Sequence, residues 1–199
     1  MDALSAQFDA FLTEAHRLKA AYATQINLIV GLETESITPI DLTNLTALLE
    51  KHSDRIEYIV GSVHHVNGIP IDFDLPTFTK ALSSLSPPSA PTSAQTSAFL
   101  CAYLDAQYEL MRRFHPEVIG HFDLCRLYTP DVQFATHPEA LERARRNIEF
   151  AVSYGALFEL NAAAFRKGWS AAYPGPDIVE VRTMIATSYI RALPDHGSV

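Results

Sequence analysis

Three β-branched or aromatic residues, Tyr58-Ile59-Val60, run directly into Gly61-Ser62 and then into His64-His65. A short apolar run of this kind, closed by glycine, reads as a buried strand. Parallel α/β folds place their chemistry at the carboxyl ends of such strands. The stretch continues as a loop through Gly68 and Pro70 to Asp72 and Asp74. On spacing alone, His64 and His65 are equally consistent with metal ligands and with surface histidines, because imidazole serves both uses.

Three further segments have the same character. Residues 25–33 (QINLIVGLE), 117–122 (EVIGHF) and 156–161 (ALFELN) are short apolar runs that end in polar side chains. Between and around them, apolar residues recur at helical spacing. The periodicity predicts helices over 2–22, 41–51, 75–85, 98–115, 137–154 and 176–188, with Asp41 as an N-cap after Pro39. His16 falls on the first helix and reads as a surface residue. Strand and helix thus alternate, which argues for a parallel sheet or a β/α barrel. Four visible strands are too few to close an ordinary barrel. Residues 86–97 (SPPSAPTSAQTS) are low in complexity and read as a mobile surface insertion inside one domain spanning 1–199.

Composition narrows the function classes. The 199 residues suit a single domain with a sizeable core. A net charge of −8 argues against a nucleic-acid binder, which needs a basic face. It leaves room for a small anionic substrate, since a few local cations can reverse the field. No apolar run approaches the roughly 20 residues that span a bilayer. The opening MDALSAQFDAF lacks the basic start of a signal peptide. Cys101 and Cys125 form neither a zinc-finger spacing nor a disulfide framework, so they read as reduced, buried thiols of a cytoplasmic protein.

The strand ends gather the chemistry. The first ends in Glu33, with Glu35 two residues on. The second ends in His64. The third ends in His121, followed by Asp123 and Arg126. The fourth ends in Glu159 and Asn161, followed by Arg166 and Lys167. In a parallel β/α fold these ends share one face. Carboxylates and imidazoles from separate strands are how such folds build catalytic metal sites. Arginines beside them suit a phosphate, which guanidinium binds in a bidentate manner.

The blocks GLETESI, GSVHHVNGIPIDFD, GHFDLCR and FELNAAAFRKG resemble consecutive segments of the monofunctional histidinol-phosphate phosphatases, those of fungi in particular, within the polymerase and histidinol phosphatase (PHP) superfamily. The resemblance runs from the first helix to about Val181. It implies a partial, distorted (β/α)7 PHP-type barrel, with divalent metals (zinc, iron or manganese) at the strand ends. The activity it implies is hydrolysis of L-histidinol phosphate to L-histidinol and phosphate, late in histidine biosynthesis. Carried over motif by motif, Glu33, His64 and His121 become metal ligands. Arg126 and Arg166 become the side chains that hold the substrate phosphate. His65, Glu35 and Asp123 then support those ligands, as carboxylates orient ligating imidazoles.

The chain departs from the family pattern at both ends. The family opens on a strand with a His-x-His pair and closes on one with an Asp-x-His type motif. Neither is legible here, and Asp195-His196 is adjacent rather than spaced. A chain that lacks both outer strands is expected to show a partial barrel with two open sheet edges. The competing readings are therefore a remnant that binds metal or phosphate without turnover, and another barrel metallohydrolase such as an amidohydrolase. Paired arginines favour a phosphate ester over an amide, which offers no dianion to clamp.

Overall fold

The structure is a computed structural model that describes the backbone of residues 2–192 and the side chains of residues 4–185. Asp195 and His196 lie outside the described residues.

Helix α1 (Asp2–Ala21) leads into strand β1 (Gly31–Glu33). Helix α2 (Pro39–Lys51) connects β1 to β2 (Tyr58–Gly61). A hairpin of β3 (His65–Val66) and β4 (Ile69–Pro70) comes next, followed by α3 (Leu75–Ser83) and α4 (Thr92–Phe114). Strand β5 (Val118–Ile119) precedes α5 (Pro138–Ser153). Strand β6 (Leu157–Phe158) precedes α6 (Ala163–Arg166) and α7 (Pro176–Ala192). The strands β1, β2, β5 and β6 form one parallel sheet in that spatial order. Neighbours in sequence are neighbours in space, so the sheet has no point at which strand order reverses. That is the winding of a β/α barrel arc and not of a doubly wound sheet. Among the described residues, the outer edges of β1 and β6 pair with no further strand of this sheet.

All four expected strands occur where the apolar runs lie, but they are shorter. Only the last residues of 25–33 pair, and Ile26 and Ile29 stand exposed. Acidic side chains hold the entry ends of the strands. Glu57 accepts from Val30 N at 2.7 Å and is paired with Lys19, and Glu117 accepts from Ile59 N at 2.8 Å.

Helix α4 packs on α3, α5 and β2, and α5 in turn packs on α7. The buried positions of α5 (Ala140, Ala144, Asn147, Ile148 and Ala151) keep the period of one helical face. Helix α5 packs along α4. Within that contact, Asn147 donates to Leu104 O and Gln107 Oε1, and Gln107 donates to Phe122 O. A buried polar line thus runs from α5 across α4 to the loop after β5. Each buried amide satisfies another, which keeps the cost of burying them low. Phe78, Phe99, Tyr103, Leu104, Ile119 and Phe122 fill the core around that line.

Several expectations require correction. Residues 62–74 are not a plain loop. Asn67 (φ 52°) and Gly68 (φ 71°) both lie in the left-handed region, as a two-residue type I′ hairpin turn demands. Half of the supposed insertion is helix, since α4 begins at Thr92 and not at 98. There Ser97 meets His137 Nδ1 at 2.6 Å and ties α4 to the start of α5. Asp41 is not the N-cap of α2. Thr38 holds that position, and the Asp41 carboxylate reaches back to accept from Thr38 N at 2.8 Å, which satisfies a donor the helix start leaves unpaired. His16 is partly buried and meets Arg55 O at 2.8 Å. The segment that follows the fourth strand includes the short helix α6, which ends at Arg166. Cys101 and Cys125, by contrast, are buried and unbridged as expected.

Candidate metal centre

The carboxyl ends of the sheet strands are fastened to one another. Thr34, just past β1, donates from its N to Val60 O at 2.9 Å, and its hydroxyl accepts from Ser62 N at 2.9 Å. Gly120, just past β5, donates from its N to Gly61 O at 3.0 Å. A Cβ at Gly120 would stand 2.4 Å from Ser62 Oγ. Only glycine lets the chain leave β5 so close to the end of β2. The next residue, His121, adopts φ 21°, a backbone region that non-glycine residues seldom enter. This turn swings its imidazole across the strand ends.

Glu33, His64 and His121 converge as a result. His121 Nε2 lies 3.1 Å from His64 Nε2 and 3.2 Å from Glu33 Oε1, and His64 Nε2 lies 3.6 Å from the same oxygen. Tetrahedral ligands bound at 2.0–2.2 Å stand roughly 3.4 Å apart. The triangle therefore has the size a metal ion needs, with no side chain having to move far. Two imidazole nitrogens facing each other at this distance also favour a shared cation over direct contact.

The surrounding groups set the protonation states. His64 Nδ1 lies 3.1 Å from Glu35 Oε2, so that nitrogen donates and leaves the Nε2 lone pair facing Glu33 and His121. The other Glu35 oxygen meets His65 Nδ1 at 2.8 Å. Burial drives the His64 pKa down, but the carboxylates of Glu35, Asp72 and Glu33, Glu35 foremost, more than offset this and raise it overall. Glu35 is pushed up by burial and pulled lower overall by its hydrogen bonds to His64 and His65. The hydrogen bond with His121 draws Glu33 down to about 2, against burial, so it is ionised at neutral pH. The donor set is one carboxylate and two imidazoles, which suits zinc, iron or manganese. The Nδ1 atom of His121 is buried without a hydrogen-bond partner among the described residues.

The two arginines are placed differently. Arg126 is buried, with its side chain 2% exposed. It pairs with Asp123, donates to both Asp177 oxygens at 2.9 and 3.0 Å, and donates to Val132 O at 3.0 Å. Its guanidinium lies 4.9 Å over the Phe134 ring. Asp123 also accepts from Gly175 N at 2.8 Å. The resemblance gives Arg126 the substrate phosphate to hold; in the structure it is turned inward, joining the loop after β5 to the start of α7. Arg166 ends α6, after the carboxyl end of β6, and is exposed.

The PHP domain family matches residues 3–163. The chain belongs to the PHP family. Over 193 residues it is 44% identical to the probable histidinol-phosphatase of Schizosaccharomyces pombe, an alignment that covers 96% of this chain and 60% of that protein. Over 221 residues it is 29% identical to the histidinol-phosphatase of Saccharomyces cerevisiae, covering 98% of this chain and 64% of that protein. The PHP chain thus spans less than two thirds of the length of either relative. No helix among its described residues is long and apolar enough to cross a membrane.

Sequence motifs point to Glu33, His64 and His121 individually. They give no hint that Asp177 engages Arg126, because the partner lies 51 residues away on another helix. Asp123, three residues before Arg126, was the one available signal.

Proposed function

We propose that this chain carries the metal-dependent core of a phosphoric monoester hydrolase acting on L-histidinol phosphate in the cytoplasm, releasing L-histidinol and phosphate. The convergence of Glu33, His64 and His121 at the ends of three adjacent parallel strands carries this reading, and the 44% identity to a probable histidinol-phosphatase supports the substrate.

Glu33, His64 and His121 would hold the cation. When bound, a divalent ion supplies an acidified water near neutral pH and draws charge from the phosphoryl oxygens. Glu35 keeps the His64 ring turned toward the site, and His65 holds Glu35 from the other side. Arg166 lies on a segment that follows β6 and offers an exposed guanidinium to an anionic ester. Arg126 joins it when phosphate takes the place of Asp177, whose side chain is 28% exposed and the more accessible of its two carboxylate partners. Phosphate monoesters are among the slowest esters to hydrolyse unaided, so positioning and charge neutralisation must both be large.

Phosphate release from L-histidinol phosphate, measured with zinc, iron or manganese added, tests the proposal. Turnover that disappears in His121→Ala supports it. A second reading, metal or phosphate binding without turnover, is favoured by one observation: among the described residues a single three-donor cluster forms, and Glu33 is half exposed. Metal binding with no phosphate release under any of the three metals would select that reading.

A further inference from the structure

The left-handed turn at His121 requires a restraint, and the structure supplies one from the neighbouring strand. Glu159, the first residue beyond β6, accepts from His121 N at 2.9 Å through Oε2. Its own backbone is fixed, since Glu159 N donates to Ile119 O at 3.0 Å. Its second oxygen, Oε1, accepts from Asn161 Nδ2 at 3.0 Å. Asn161 Oδ1 in turn accepts from Ala163 N at 2.8 Å, at the start of the short helix that ends in Arg166. Asn161 is also held through its backbone, exchanging bonds of 2.9 and 3.1 Å with Tyr173. One continuous line therefore runs from the metal-facing histidine to the segment bearing the exposed arginine.

Unlike Glu35, Glu159 touches no imidazole in the cluster. It grips the backbone amide of His121. A charged acceptor on that amide is a strong hydrogen bond, and it opposes the relaxation of a residue held at φ 21°. Were the amide released, His121 could return toward an ordinary strand conformation. Its Nε2 would then leave Glu33 and His64.

We propose that Glu159 is a positioning residue for the metal centre and that Asn161 couples it to the Arg166 segment. This inference rests on Glu33, His64 and His121 being the ligands. Partners that orient metal ligands typically change metal affinity by 10–100-fold when removed.

The test uses the full chain with cobalt(II) as probe, reading affinity from its visible absorption, and thermal unfolding of each metal-free variant by circular dichroism. Wild type should bind and His121→Ala should not. Glu159→Ala should bind at least about 10-fold more weakly, with metal-free unfolding near that of wild type. Glu159→Gln should recover most of the affinity, because its amide oxygen still accepts from His121 N. Asn161→Ala should give a smaller loss, since it frees Glu159 without removing it. If Glu159→Ala does not fold, Asn161→Ala and Glu159→Gln decide alone. Full affinity in Glu159→Ala overturns the proposal, and so does full affinity in Asn161→Ala together with binding by Glu159→Gln at least about 10-fold weaker than wild type. Failure of wild type to bind cobalt instead removes the metal-centre reading on which it stands.

Discussion

The Nε2 atoms of His64 and His121 face each other at 3.1 Å, although 57 positions separate the two residues in the chain. Without a cation between them, one nitrogen must donate to the other beside the ionised Glu33. With a cation, both lone pairs and the carboxylate find the same partner. Ligands that bind only the folded state stabilise it by mass action, by about 2.7 kcal/mol at a hundredfold excess over Kd. Zinc or manganese added to metal-free protein should therefore raise Tm by several degrees. His121→Ala should abolish that rise while changing the metal-free Tm little. An equal rise in the variant would place the ion elsewhere.

Arg126 predicts a different kind of outcome. Its guanidinium balances the fully buried Asp123 and the partly buried Asp177. Removing one partner of a buried ion pair leaves an uncompensated charge and typically costs 3–5 kcal/mol. Arg126→Ala should thus lower stability by about that much in denaturant titrations, before any effect on substrate is read. Asp177→Asn should cost far less, since Asp123 still neutralises the arginine and residue 177 reaches solvent. It should also free the guanidinium for an anion and lower KM for a phosphate ester. Equal losses in the two variants would contradict this division.

The contrast between these two sites shows what the sequence can carry. Glu33, His64 and His121 each sit where an apolar run stops, and parallel topology alone then brings strand ends together. The four strands and their shared rim could be read for that reason. Arg126 sits in a motif just as plain, but its direction depends on Asp177 and Phe134, which no local pattern links to it. The hairpin at 65–70 carried an Asn-Gly signal, yet its strands are only two residues each, too short for periodicity to register. The onset of α4 was obscured because Thr92, Ser93, Thr96 and Ser97 resemble linker residues in composition. Their helical state follows from packing, as Ser97 contacts His137 and Phe99 enters the core.

Gly120 offers a sharper check on the strand-end geometry. A methyl group there would lie 2.4 Å from Ser62 Oγ and 3.1 Å from Val60 Cγ1. Ser62 is buried and follows directly on β2, so it cannot swing away cheaply. Overpacking of this kind costs about 1–3 kcal/mol. Gly120→Ala should show that loss in denaturant unfolding and should also weaken metal binding, because the displacement falls one residue before His121. Gly168→Ala is a useful contrast. It has open space around its Cβ, and its φ of 85° makes its cost one of backbone strain alone. It should destabilise without altering metal affinity. Loss of metal affinity in Gly168→Ala but not in Gly120→Ala would refute the assignment.

Tyr173 gives a prediction at alkaline pH. Its ring packs edge-on against Trp169 at 4.9 Å, and its hydroxyl is buried without a hydrogen-bond partner among the described residues. Burial raises its pKa to about 12, with the nearby Asp123 charge adding to the effect. The neutral phenol is therefore favoured in the folded state. The sign follows from linkage: the folded pKa exceeds the unfolded value near 10, so this contribution is complete below pH 10 and is lost as pH rises toward 12. Tyr173→Phe keeps the ring contact and removes both the ionisation and the unpaired hydroxyl. At pH 7 the variant should match or slightly exceed wild-type stability, because an unsatisfied buried polar group is lost. Between pH 10 and 12 wild type should lose stability faster than the variant. Urea midpoints measured at pH 7.5 and pH 11 give the comparison, and a parallel decline of the two proteins would show that the Tyr173 phenol ionises freely in the fold.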